Sequence, residues 1–317
     1  MGMSKPSKPQ SVEPSEGRAG TFRAIRPAPP AAPDRQLYSP SGSAFVVALA
    51  SASGEPAAAQ LEAFARIMDA DPYSARARLA MPAPSPLAVF ATEAEAAALL
   101  RRLAAEGIRA FLLPEAAAHR IACVPATRLA PDRKALLFDT AEGAFAVRPR
   151  EVLAVASATL QVRQTTERFT HSHAEARTER TTEQGCALLD VHLATRDAAL
   201  RIDSRAFDFA GLYPGHTPAP IAMMASMKEW LRTALPGVPF HDQFDVVRER
   251  LGITRVRERN VELRAVALER PLAGLGHAEE TRQVTETDAD AFDRYSLLAR
   301  FEARALNLKP KQPASAR

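Results

Sequence analysis

The chain has 317 residues, 46% of them hydrophobic and 25% charged, with a formal net charge of +4. That length suffices for two ordinary domains, and the composition is that of a globular protein. No run approaches the roughly 18 apolar residues of a membrane-spanning helix, so an integral helical membrane protein is excluded at this level.

The charge excess sits on the two ends of the chain. Residues 1–40 carry a net +3 and residues 306–317 another +3, which leaves the middle at −2. A nucleic-acid-binding fold is expected to carry its basic patch on the folded part, so no specific nucleic-acid partner is expected. The two cysteines, Cys123 and Cys186, form no CxxC pair and no disulfide framework. They suit a reducing compartment. The first residues, MGMSKPSKPQ, lack the apolar core of a signal peptide, and a cytoplasmic location is the expectation.

Residues 1–42, rich in Pro, Ser, Ala and Arg, read as a disordered arm. Order is expected from Ala44. Phe45 to Leu49 is a β-branched apolar run and predicts a strand. Leu61, Phe64, Ala65 and Met68 recur at helical spacing after Pro56. Asp71-Pro72 starts a shorter helix, with Tyr73 and Leu79 inward, that ends at Pro82, and Leu87 to Phe90 predicts a second strand. Thr92 and Glu95 form a capping box for a third helix, with Leu99, Leu100 and Leu103 inward and Gly107 as its C-cap glycine. Ile108 to Leu113 predicts a third strand, closed by Pro114.

This β-α-α-β-α-β order resembles the C-terminal domain of the bacterial ribosomal stalk protein and the related fold of the Clp protease adaptor. The resemblance covers residues 44–113, within a domain expected over 43–115. Pro72-Tyr73-Ser74-Ala75-Arg76 falls where the stalk domain has its short basic helix, and Thr92 to Gly107 looks like its last helix. The resemblance implies a domain that docks other proteins without cofactor or reaction. It departs from the family at the partner face, where Asp69-Ala70-Asp71-Pro72 replaces a glycine- and lysine-rich turn. The ribosomal partner therefore does not carry over. Arg76 at a matching basic position, with Arg78 beside it, is the expected partner contact.

Residues 119–252 change period and predict a β-rich domain. Ile121 to Val124, Ala135 to Phe138 and Ala144 to Val147 are short apolar runs, the last two joined by a hairpin turn at Asp139 to Gly143. Val152 to Val162 and Cys186 to Leu193 predict longer strands, and Leu200, Ile202, Phe207 and Phe209 the last ones. The polar stretch 164–185 predicts a long exposed hairpin extension or a disordered loop. A helix over 219–235 carries Met223, Met224, Met227, Trp230 and Leu231, which read better as core than as an adaptable docking stripe. Phe244, Val247 and Leu251 mark a short helix. The whole chain is then α+β: a small β-α-α-β-α-β domain, followed by an antiparallel barrel or curled sheet capped by a helix. This half loosely resembles bacterial pleckstrin-homology-like domains, and the pairing of both halves looks like uncharacterised multi-domain proteins of GC-rich bacteria. No lipid-headgroup motif maps onto it.

Residues 253–306 predict an irregular and helical C-terminal extension. Arg255, Arg257, Arg259 and Arg264 interleave with Glu258 and Glu262 in a self-neutralised face, helix or strand. Leu272 to Thr287 looks flexible. A final helix runs from about Asp288 to Leu306, with Asp288 or Asp290 as cap and Phe292, Tyr295, Leu298, Ala299 and Phe301 on its apolar side. Residues 307–317 form a basic tail.

The chain contains no phosphate-binding loop, dinucleotide fingerprint, GxSxG or HExxH, and no cofactor is expected. His171 and His173, with Cys186 and His192 downstream, make the one pattern that suits zinc. Solvated histidines and buried thiols read better, and both cysteines are expected to be buried. Asp203, Asp208 and Asp242 suit turns and caps rather than a carboxylate pair. The functional expectation is a non-enzymatic protein-interaction or scaffold protein. A metal protein or enzyme built on His171/His173 and a membrane-surface binder using the β domain are the alternatives.

Overall fold

A computed structural model describes residues 44–131, 135–171, 176–213, 219–251, 256–266 and 277–306, and these hold a small three-stranded sheet and a large nine-stranded one. The small sheet is built from β1 (Phe45–Leu49), β2 (Ser85–Phe90) and β3 (Ala110–Pro114), all antiparallel in the order β2-β1-β3. Between them run α1 (Ala58–Met68), α2 (Pro72–Leu79) and α3 (Glu93–Ala105). Local chemistry sets these boundaries. Asp71 caps α2 by accepting the Ser74 N–H at 2.9 Å, with Pro72 in the first turn. Thr92 caps α3, and Gly107 follows it at φ +68°, where a side chain would be strained. The expected β-α-α-β-α-β order is present.

Side chains of β1 alternate between two cores. Val47 and Leu49 pack with Phe64, Leu99, Leu103 and Ile108 beneath the three helices. Val46 and Ala48 face the other way, with Phe111 and Leu113 of β3, into a core shared with the rest of the chain.

After α4 (Glu115–Ala118) the large sheet begins with β4 (Ala122–Pro131), β5 (Leu136–Thr140) and β6 (Gly143–Val147). The expected hairpin joins β5 and β6, with Thr140 opposite Gly143. β7 (Val152–His171) and β8 (Ala176–Leu193) are much longer than predicted. The polar stretch 164–185 is a hairpin extension, paired out to Thr170 opposite Ala176. β9 (Ala198–Asp203) lies between β8 and β4, antiparallel to the first and parallel to the second. α5 (Pro220–Ala234), β10 (Phe240–His241), α6 (Phe244–Val247) and a 3-10 turn at Arg248–Leu251 follow. Then come β11 (Val256–Val266), β12 (His277–Thr287) and α7 (Ala289–Ala305).

The strand order is β11-β12-β7-β8-β9-β4-β5-β6, with β10 parallel to β7. The sheet does not close into a barrel. Closure would pair β6 with β7, but β8 takes one edge of β7, and β12 and β10 take the other. Two further expectations fail here. The Phe207–Phe209 segment is a turn with one bridge, Arg128 to Asp208, because Asp203 draws in the Arg205 and Phe207 N–H groups. Its two rings stack edge to face at 4.9 Å. Residues 277–287, expected to be flexible, form β12, which is paired on both sides.

One face of the large sheet packs against α5, where Met223, Met224, Met227 and Leu231 meet Val155, Leu189, Val191 and Leu200. The methionines are core, as expected. The opposite face, with Ala156, Leu160, Cys186 and Leu188, packs against α7. Helix α7 also contacts Phe111 and Leu113 of the small sheet, so it fills the space between the two sheets. It is buried on nearly every side, which corrects its reading as a surface extension with one apolar stripe. No helix among the described residues is long and apolar enough to cross a membrane.

Candidate functional site

A helix buried all round must satisfy its polar side chains internally. Those of α7 do so through a network spanning both sheets. On β8 and β9, the Arg201 fork donates to Asp190 in two bonds of 2.7 Å each. A third nitrogen of Arg201 lies 2.5 Å from Asp293 of α7, and the guanidinium sits over the Phe292 ring at 5.3 Å. Burial works against the Asp190 carboxylate, but the charge and hydrogen bonds of Arg201 outweigh it and hold the group below its ordinary range. The same pairing, acting against burial, keeps Arg201 charged.

Next to this pair, Ser296 Oγ donates to Asp190 at 2.5 Å and lies 2.8 Å from His192 Nε2. Serine, histidine and aspartate thus lie in a row, but in the wrong order for a nucleophile. The hydroxyl proton goes to the carboxylate, so the imidazole donates to the serine and cannot take its proton. Burial pushes His192 down to about 3, the neutral form, and its Nδ1 has no hydrogen-bond partner among the described residues. All three residues are buried. The row is structural.

Two more α7 residues act as clamps. Arg300, fully buried, donates to the carbonyls of Leu193, Arg196 and Ala198 and gathers the β8–β9 turn. Glu302 reaches the small sheet, accepting the Ser51 N–H at 2.6 Å and the Ser51 hydroxyl at 2.9 Å. Removing that hydroxyl in Ser51→Ala is expected to cost about 1–2 kcal/mol. Urea denaturation checks this, and an unchanged midpoint would show the clamp to be idle.

The proposed zinc ligands do not converge. Cys186 pairs with Leu160 across the β7–β8 ladder, and His171 lies eleven residues further along β7. At roughly 3.4 Å per residue that is about 37 Å. His173 lies outside the described residues. Cys186 donates to Asp203 at 3.3 Å, and burial, aided by that carboxylate, pushes its thiol up to about 12. Cys123 is exposed, against expectation, because it sits on the outward face of β4. Asp208 makes the expected turn contact, accepting the Ala210 N–H, and Asp242 takes Lys228 and Arg232.

The predicted partner contacts lie on α2. Arg76 is turned toward Glu55 and pairs with it. Arg78 is exposed, and its guanidinium has no hydrogen-bond or ion-pair partner among the described residues. It lines a cleft of about 360 Å³ with Tyr73, Ser85, Pro86 and Arg250. Tyr73 is 83% exposed although its helix is anchored by the buried Ala75. Sequence reading singled out the arginines and missed the tyrosine, which looked inward-facing. Arg250 comes from the 3-10 turn, and its Nη1 donates to the Ala77 carbonyl at 3.3 Å, holding the two walls together.

No family model, curated protein or solved structure matches the chain.

Proposed function

We propose that this is a non-enzymatic docking protein of the cytoplasm, and that α2 presents its contact surface. The observation that carries the reading is Tyr73. A large aromatic left 83% exposed on an anchored helix, with a guanidinium five residues further on whose side chain has no partner among the described residues, is the residue chemistry that dominates protein interfaces. The stalk-like order of elements around it supports the same reading, since that kind of domain docks proteins. The buried Asp190–Ser296–His192 row supports it from the other side: its polarity serves packing, not substrate.

The test is co-purification from the native cell with quantitative mass spectrometry, comparing wild type with Tyr73→Ala and Arg78→Glu. Both side chains are exposed, so stability should change by no more than about 0.5 kcal/mol. A specific set of partners should be depleted from both variants. Identical partner sets in all three samples would end the assignment of α2.

A further inference from the structure

We infer that the cleft between α2 and the Arg248–Leu251 turn receives an acidic segment of the docking partner's polypeptide, a refinement that rests on the docking reading above. The lining decides the chemistry. Arg78 and Arg250 reach the cleft from opposite walls, and among the described residues no carboxylate lines it. Of the acids nearby, Asp71 accepts from Ser74 at the start of α2, Glu55 is paired with Arg76, and Asp288 holds Arg248. Glu249, beside Arg250 on the 3-10 turn, is exposed and does not line the cleft. Arg250 spends one nitrogen on Ala77, which leaves the rest of its fork, and the whole of Arg78, without a described acceptor. Two guanidiniums so placed offer a carboxylate fixed, planar donors.

The remaining lining sets the rest of the ligand. Leu49, Pro86 and the Tyr73 ring give an apolar floor and rim. A bare inorganic anion would leave that surface wet. A peptide in which acidic and aliphatic side chains alternate would use both parts. A volume of about 360 Å³ holds a few side chains, not a folded domain.

The experiment uses the full chain and a fluorescein-labelled peptide of alternating Glu and Leu, read by fluorescence anisotropy. The same peptide with Gln for Glu is the control. The acidic peptide is expected to bind, to weaken as salt rises, and to lose affinity about tenfold in Arg78→Glu and in Arg250→Glu. Arg66→Glu changes the net charge equally at an exposed site on α1 that does not line the cleft, and should leave binding intact. Equal binding of the Gln peptide would overturn the inference, as would an equal loss in Arg66→Glu. Full displacement of the peptide by inorganic phosphate would also overturn it, by showing an anion site indifferent to peptide. If native partners depend on Tyr73 while the acidic peptide is ignored, only this inference fails. If neither depends on α2, the docking reading fails with it.

Discussion

Asp190→Ala is expected to destabilise the protein by about 3–5 kcal/mol, the cost of leaving a buried guanidinium without its principal partner. Arg201 loses its bidentate acceptor, Ser296 loses the acceptor of its hydroxyl, and only Asp293 remains to balance the charge. The damage should not stay local. Asp190 ties β8 to α7, and α7 carries the contacts that join the small sheet to the large one. A loss of cooperativity, with the small sheet melting separately, is therefore expected alongside the lower midpoint. Urea denaturation followed by circular dichroism and by Trp230 fluorescence reads both. Should Asp190→Ala fail to fold, Asp190→Asn keeps the shape and one acceptor and should fall between it and wild type. A change below about 1 kcal/mol in both variants would show that the network contributes little.

Acid should begin to destabilise the protein well above the range in which carboxylates titrate. Burial holds His192 at about 3 and His241 at about 4, against an ordinary value of 6.5. Above pH 6.5 both are neutral in the folded and the unfolded chain, and stability does not depend on them. Between pH 6.5 and 4 the unfolded chain binds two protons that the folded one refuses, so stability falls as pH falls. The slope approaches about 2.7 kcal/mol per pH unit, from about 1.36 per group. Glu302, near His241, works in the opposite direction, because burial raises its pKa and the folded state favours its protonated form. Asp190 and Asp203, both held low, add to the loss as pH falls through the ordinary carboxylate range. His192→Gln should remove one proton's share of the slope. Stability that stays flat from pH 7 to 5 would contradict the buried, neutral histidines.

What was legible in the chain follows from how local each signal is. The small domain could be read because its boundaries carry their own chemistry: Asp71-Pro72, Thr92 with Glu95, Gly107. The Met223–Leu231 helix could be read because a Lys, a Glu and an Arg mark its outer side. Helix α7 could be placed but not understood. Asp293, Ser296 and Arg300 look like an ordinary wet stripe and Glu302 like a stray charge on the apolar side, since their partners lie about a hundred residues or more away, at Arg201, Asp190, Leu193 and Ser51. The outer halves of β7 and β8, and β12, are polar at most positions and lack the alternation that announces a strand. The open sheet was illegible for a similar reason. Whether β6 closes onto β7 depends on β12, which comes more than a hundred residues after β7 begins.

The most direct measurement is photocrosslinking at position 73. Tyr73 is replaced by a photoreactive phenylalanine analogue, expressed in the native cell and irradiated, with the same analogue at exposed Leu137 on β5 as reference. Docking through α2 predicts a discrete adduct of defined mass from position 73 that Arg78→Glu diminishes and position 137 does not form. The absence of any adduct peculiar to position 73 would contradict it.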